Sequence, residues 1–184
     1  MKNKILIFIF FFLFINSVNA KDNIMILKLQ NGDVVIELFD KIAPNHVKRF
    51  KDLVSEKEYD GVVFHRVIED FMAQTGDVKF GNSKLDTYDL QLAGTGGSDY
   101  PDLKAEFSDL PHERGTLSMA RSNDPDSANS QFFICLKASP FLDRQYSIFG
   151  KVIEGMEFVD LIKKGEGSNG AVINPDQIIS LLSK

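Results

Sequence analysis

The chain of 184 residues has one cysteine, three histidines and no run of five or more basic residues. A single cysteine closes no internal disulfide, so the fold must stand on its core alone. Cys135 sits in the apolar run Gln131-Phe132-Phe133-Ile134-Cys135-Leu136 and reads as a small buried hydrophobe, not as a reactive thiol. His46, His65 and His112 are far apart and share no ligand spacing, so no metal site is expected. The balance of 21 basic against 26 acidic residues gives nucleic-acid binding no electrostatic support. There is no Gly-x-Ser-x-Gly elbow to present a hydrolase nucleophile. Gly94-Thr95-Gly96-Gly97 lacks the Lys-Ser/Thr that follows a phosphate-cradling loop and reads as a flexible surface turn. No cofactor is expected.

Long hydrophobic stretches are scarce as well. The unbroken apolar run from Ile5 to Ile15 spans eleven residues. As a helix it would reach roughly 16 Å, well short of the ~30 Å hydrocarbon core of a bilayer. With Lys2 and Lys4 before it and Val18-Asn19-Ala20 after it, residues 1–20 read as a secretory signal peptide. A retained membrane anchor is the alternative. A lipoprotein is excluded, because position 21 is Lys. The mature chain would run over residues 21–184 with 19 basic and 26 acidic residues, a net charge of −7. No stable membrane association is expected after cleavage.

The mature part has no Pro/Ser-rich linker, low-complexity tract or internal repeat, which points to one domain. Runs 24–30 and 33–39 flank Asn31-Gly32, a strong hairpin signal. Pro44 opens a helix over 44–56, with Val47, Phe50, Leu53 and Val54 along one face. Further strands are expected over 62–67, 72–75, 116–120, 131–136, 147–152 and 178–182. A second helix is expected over 156–163, with Phe158, Val159, Leu161 and Ile162 inward and Gly165 beyond its end. Many short strands with glycine turns and two helices suggest a closed or nearly closed β-barrel.

Three segments mix polar groups into apolar surroundings: 64–77, 117–121 and 130–134. Alternation puts Phe64, Arg66 and Ile68 on one face, and Gln131 with Phe133 on one face. The same rule sets Phe71, Ala73 and Thr75 opposite Met72 and Gln74. Taken alone, such residues read as core and surface. Together, Phe64-His65-Arg66-Val67-Ile68, Phe71-Met72-Ala73-Gln74-Thr75-Gly76-Asp77, 94–97, 115–121, Ser130-Gln131-Phe132-Phe133-Ile134 and Phe149-Gly150-Lys151-Val152 resemble the signature of the cyclophilin family of peptidyl-prolyl isomerases. The resemblance runs from about residue 24 to 182.

This resemblance implies a mainly β fold, a closed eight-stranded antiparallel barrel capped by two helices. It implies catalysis of X–Pro isomerisation in unfolded or folding polypeptides, without metal or cofactor. Arg66 would be the catalytic residue and Gln74 would orient it and the substrate carbonyl. Phe71, Met72, Phe133 and Leu142 would form the proline pocket. Ala120, Arg121 and Gln131 would meet the residues before proline, and His65 would be structural. Phe141, Tyr146 and Arg121 stand where many relatives carry Trp, His and Asn, so cyclosporin-type peptides are expected to bind weakly. Met119-Ala120-Arg121 and the short loop 122–129 resemble the bacterial branch, which with the signal peptide suggests a periplasm; a monomer is expected. A binding module that grips proline segments without turnover is the competing reading. The retained Arg66 argues against it, since a pure binder needs no cation there.

Overall fold

The computed structural model describes residues 23–184; the expected signal peptide and its cleavage site lie outside the described residues. Eight strands form one antiparallel sheet: β1 (Ile24–Leu29), β2 (Gly32–Leu38), β3 (Arg66–Ile68), β4 (Met72–Thr75), β5 (Thr116–Met119), β6 (Phe132–Cys135), β7 (Ile148–Glu154) and β8 (Ser180–Ser183). Their spatial order is β3-β4-β6-β5-β7-β2-β1-β8, which leaves β3 and β8 as edges. The sheet curls into a barrel shape, but its ladder stays open, where the family resemblance implies a closed barrel. The gap between the edges is bridged by irregular segments, with Gly61 N–H donating to Ile178 O and Phe64 N–H to Asp176 O. A regular strand cannot run through there, because Asn174 has φ 52° and Pro175 has no N–H to donate. For the same reason the expected strands over 62–67 and 178–182 shrink to their ends, with Val62 and Val63 making only isolated bridges.

Alternation divides the strands into two faces. Val67, Ala73, Leu117, Phe132 and Ile134 point into the main core, where Phe50 of α1 (Pro44–Ser55) meets the rings of Tyr59, Phe132 and Phe149 at 5.3, 5.3 and 5.2 Å. Burying each such ring contributes ~1.5–3 kcal/mol, so this cluster anchors the helix across the barrel mouth. The helix has no side-chain cap of its own at Ala43. Glu106, from a distant loop, accepts the backbone N–H groups of Asn45 and His46 at 3.1 Å and also bonds His46 Nδ1 at 2.7 Å. A carboxylate there satisfies free donors and complements the helix dipole.

Two local expectations shift. The first hairpin turns at Gln30-Asn31, with Gly32 already paired to Leu29. Glycine serves close packing there, since a Cβ at Gly32 would lie 2.5 Å from the Phe158 ring. The second helix, α2, is only Met156–Asp160. Val159 and Ile162 are buried and Phe158 is half-buried, whereas Leu161 is 60% exposed, because so short a helix turns just one edge to the core.

Candidate active site

On the outer face of β3, β4 and β6 the register sets Arg66 opposite Gln74 and Gln74 opposite Phe133. Met72, two residues before Gln74, joins Phe133, Cys135 and Leu142 in a second, smaller apolar cluster. Phe71 lines this cluster too, against the alternation rule. It precedes the regular strand, in a turn where Asp70 has φ 58° and Phe71 N–H bonds Ile68 O, so strand parity does not yet apply.

These residues enclose a cavity of about 120 Å³ lined by Arg66, Phe71, Met72, Gln74, Ala120, Arg121, Phe133, Leu142 and Tyr146. That is space for roughly four waters at ~30 Å³ each, the scale of one small ring. Leu142 comes from a 3₁₀ turn, Pro140–Leu142. The Tyr146 ring meets the edge of Phe133 at 5.8 Å. Gln131 lies next door, on a more polar cavity of about 480 Å³ that shares Gln74, Ala120 and Arg121 with the first. Phe141 stands outside both, 62% exposed, with its ring 5.3 Å from Phe71. The site thus brings together ten of the eleven side chains singled out in the sequence and leaves Phe141 at the rim.

Arg66 donates through Nε to Asn169 O at 2.8 Å and through Nη1 to Gln74 Oε1 at 3.2 Å, with Met72 Sδ a weak third acceptor at 4.0 Å from Nη1. Partial burial lowers its pKa from the ordinary value, yet a guanidinium stays charged. Among the described residues no carboxylate lies within 4.0 Å of Arg66 or Arg121. Arg121 instead stacks on Tyr146, 4.5 Å from its ring centre, and donates to Gln145 O and Ser122 O. Two cations without a carboxylate partner therefore face a small pocket of mixed polar and apolar lining, on a chain that is acidic overall.

The positioning extends further than motif spacing suggests. Gln74 Nε2 donates to Gln131 Oε1 at 3.0 Å, and Gln131 Nε2 donates to Gly94 O and Gly96 O at 3.0 and 2.8 Å. The fully buried Asp77 in turn accepts Gly94 N–H and Gly96 N–H on Oδ2, at 2.7 and 2.9 Å. The glycine loop is therefore a clamped wall of the larger cavity, not the flexible surface turn its composition suggests. Glycine is needed there: a Cβ at Gly96 would lie 2.6 Å from Asp77 Oδ1. His65 points away from the cavity and packs its ring on Gly94; burial pushes its pKa down to about 4 and keeps it neutral. Cys135 is fully buried, and desolvation pushes its thiol up to about 12, so it is inert.

A sequence model of the family described as cyclophilin type peptidyl-prolyl cis-trans isomerase/CLD matches residues 24–182. A probable peptidyl-prolyl cis-trans isomerase of Brucella suis is 60% identical over 159 residues, covering 86% of this chain and 81% of the relative. A peptidyl-prolyl cis-trans isomerase of Helicobacter pylori is 36% identical, covering 85% and 90%. Among solved structures, a cyclophilin from Hirschia baltica superimposes with a TM-score of 0.73 at 29% identity, covering 89% of this chain and 74% of that one. A cyclophilin type peptidyl-prolyl cis-trans isomerase of Cryptosporidium parvum, crystallised in the presence of the dipeptide Ala-Pro, gives 0.74 at 29% identity, covering 88% and 98%. The family model spans nearly all of the described domain, and the chain belongs to the cyclophilin type peptidyl-prolyl cis-trans isomerase family.

Proposed function

We propose that this chain accelerates rotation about X–Pro bonds in unfolded and folding polypeptides, with Arg66 as the catalytic residue. Amide resonance imposes a barrier of ~18–20 kcal/mol, while the cis and trans ends of an X–Pro bond differ by only ~0.5–1 kcal/mol. No bond is broken, so neither nucleophile nor metal is required. The enzyme must bind the twisted amide better than either planar form. Twisting removes resonance and returns a lone pair to the prolyl nitrogen. A fixed guanidinium beside an apolar pocket stabilises that pair, or the neighbouring carbonyl, in a site with little water to compete.

In this reading the cavity beside Phe71, Met72, Phe133 and Leu142 takes the proline ring. Arg66, tethered through Nε and Nη1, keeps Nη2 free of protein acceptors among the described residues and directs it at the amide. Gln74 orients Arg66 and the substrate carbonyl. Gln131, Ala120 and Arg121 meet the residues before proline, and Tyr146 closes the pocket wall. All the walls come from one chain, so a monomer suffices.

The single observation carrying this reading is Arg66, without a carboxylate partner, on the wall of a small cavity whose other side is Phe71, Met72, Phe133 and Leu142. The test measures cis-to-trans rates on a short Ala–Pro peptide with residues 21–184 and with Arg66→Ala. Removing one preorganised donor of this kind typically costs ~10²–10³ in rate. A parent domain that leaves the uncatalysed rate of tens to hundreds of seconds unchanged refutes the enzyme and leaves a proline-binding module. An unaffected Arg66→Ala refutes the role of Arg66.

The same proposal places the protein outside the cytoplasm, in the periplasm of a Gram-negative bacterium. The basic start, short apolar run and Val18-Asn19-Ala20 support it. The expected mature chain begins at Lys21, and intact mass of the exported protein checks this. A full-length, membrane-bound product refutes the cleavage.

A further inference from the structure

Behind the apolar pocket sits a buried imidazole that the isomerisation does not use. His112 is 1% exposed, and its ring stacks on Phe133 with centroids 6.3 Å apart and planes 17° from parallel. Nδ1 lies 2.9 Å from Asp143 Oδ1, which also accepts the His112 backbone N–H at 2.8 Å. Nε2 lies 3.1 Å from Ser118 Oγ, itself 3.1 Å from Ser147 O. The His112 carbonyl accepts Ser139 N–H at 2.7 Å.

The chemistry of a Ser-His-Asp row does not follow. Ser118 is fully buried in the pair of β5 with β6, so no substrate carbonyl can reach its hydroxyl. What the row does is mechanical. Ser139 and Asp143 flank the 3₁₀ turn Pro140–Leu142, so His112 grips that turn at both ends. Asp143 follows Leu142, Ser147 follows Tyr146, and Ser118 is the cross-strand partner of Phe133. His112 thus reaches Leu142 through Asp143, Phe133 through Ser118, and Tyr146 only at one remove, through Ser118 and Ser147. Leu142 and Tyr146 lie outside the strands, where no ladder fixes them. Facing the Asp143 carboxylate, the neutral ring keeps its proton on Nδ1, and the one Ser118 hydroxyl proton is shared between two acceptors, His112 Nε2 and Ser147 O.

We propose that His112 is a positioning residue for the proline pocket, setting Leu142, Tyr146 and Phe133 at the spacing the twisted prolyl ring requires without touching substrate. The proposal rests on the reading of this cavity as the X–Pro site. Its logic is that a pocket wall on a short irregular segment is only as fixed as its support, and misplacement by 1 Å can cost ~10²-fold.

The test compares residues 21–184 with His112→Phe, Asp143→Asn and Asp143→Ala, reading KM and kcat for a short Ala–Pro peptide and its Kd by titration. Circular dichroism and melting confirm folding. Phe keeps a flat ring against Phe133 but loses both ring hydrogen bonds. Asn keeps an oxygen for the two His112 donors; Ala keeps none. The expected result is a roughly tenfold rise in KM and Kd for His112→Phe and Asp143→Ala, at the lower end of what misplacement costs. Asp143→Asn stays within about twofold of the parent, since it retains the acceptor geometry. Folded His112→Phe and Asp143→Ala proteins with parental KM and Kd overturn the proposal, as does Asp143→Asn losing as much as Asp143→Ala. If His112→Phe does not fold, the Asp143 pair decides. A parent without rate acceleration refutes the enzyme reading separately, and Kd alone then decides whether His112 shapes the pocket.

Discussion

Asp77 offers a sharp test of how the site is held, because one carboxylate carries four backbone donors. Oδ1 accepts Lys79 N–H and Phe80 N–H at 3.1 and 2.9 Å; Oδ2 accepts Gly94 N–H and Gly96 N–H at 2.7 and 2.9 Å. Asp77→Asn keeps the shape but replaces one oxygen with an NH₂ group. Whichever way the amide turns, two N–H donors lose their acceptor and face another donor. Charge-assisted bonds contribute ~1.5–3 kcal/mol each, so two represent about 3–6 kcal/mol before water intervenes. Gly94 and Gly96 are half-buried, so entering water recovers part of this. The expected cost is about 2–4 kcal/mol after that partial recovery. For a domain of this size that corresponds to a Tm lower by roughly 5–15 °C. Catalysis should suffer even where the variant is folded. The carbonyls of the glycine loop hold Gln131, which holds Gln74, which holds Arg66, so a loop loosened from Asp77 loosens the whole row. Urea unfolding gives the first quantity, and isomerisation of an Ala–Pro peptide well below Tm gives the second, expected to fall roughly tenfold, as for a slightly misplaced group. A variant with Tm within about 2 °C of the parent and unchanged activity would show that the loop does not depend on this clamp.

Arg66→Lys should lose nearly as much activity as Arg66→Ala, because an ammonium cannot bond Asn169 O and Gln74 together while still presenting a donor to substrate; parental kcat/KM in the lysine variant would refute this. Cyclosporin-type cyclic peptides should inhibit only at micromolar concentration, since Phe141 offers a ring at the rim but no indole N–H, and Phe141→Trp should tighten inhibition; nanomolar inhibition of the parent sinks the argument. His65 should make the domain acid-sensitive. Its pKa of about 4 in the fold lies below the unfolded value of 6.5, so the unfolded chain takes up a proton first as pH falls. Stability from this group is complete above pH 6.5 and drains away towards about pH 4, on the order of 3 kcal/mol in all. Urea midpoints from pH 7 to 4.5 should fall less steeply for His65→Gln than for the parent; parallel curves would refute the assignment.

What the sequence makes legible follows from the range of the interactions. Alternation is local, so the pattern alone separates Phe132 and Ile134 from Gln131 and Phe133, and the sheet agrees, with the first pair in the main core and Phe133 on the pocket side. Phe71 breaks the rule because the rule belongs to regular strands and Phe71 still lies in a turn. Leu161 breaks its own helical pattern because α2 ends after five residues. The role of the glycine loop is hidden for a different reason: its composition is that of any mobile turn, and the acceptor that immobilises it lies 17 residues away in sequence. The same holds for the cap of α1, supplied by Glu106 from 60 residues on.

These long-range clamps share a chemistry. Asp77, Glu106 and Asp143 each turn carboxylate oxygens onto backbone N–H groups of a segment that has no ladder or cap of its own. Asp77 and Asp143 do so beside the pocket, and Glu106 does so at the start of α1. A barrel with short strands and long connections has few other ways to fix a groove, since the groove is built largely from those connections. It follows that the sheet supplies Arg66, Gln74 and Phe133 with their register, while two carboxylates, Asp77 and Asp143, and one histidine support the remaining walls. Composition places those carboxylates among the ordinary surface charges of an acidic protein; only the backbone donors gathered around them set them apart.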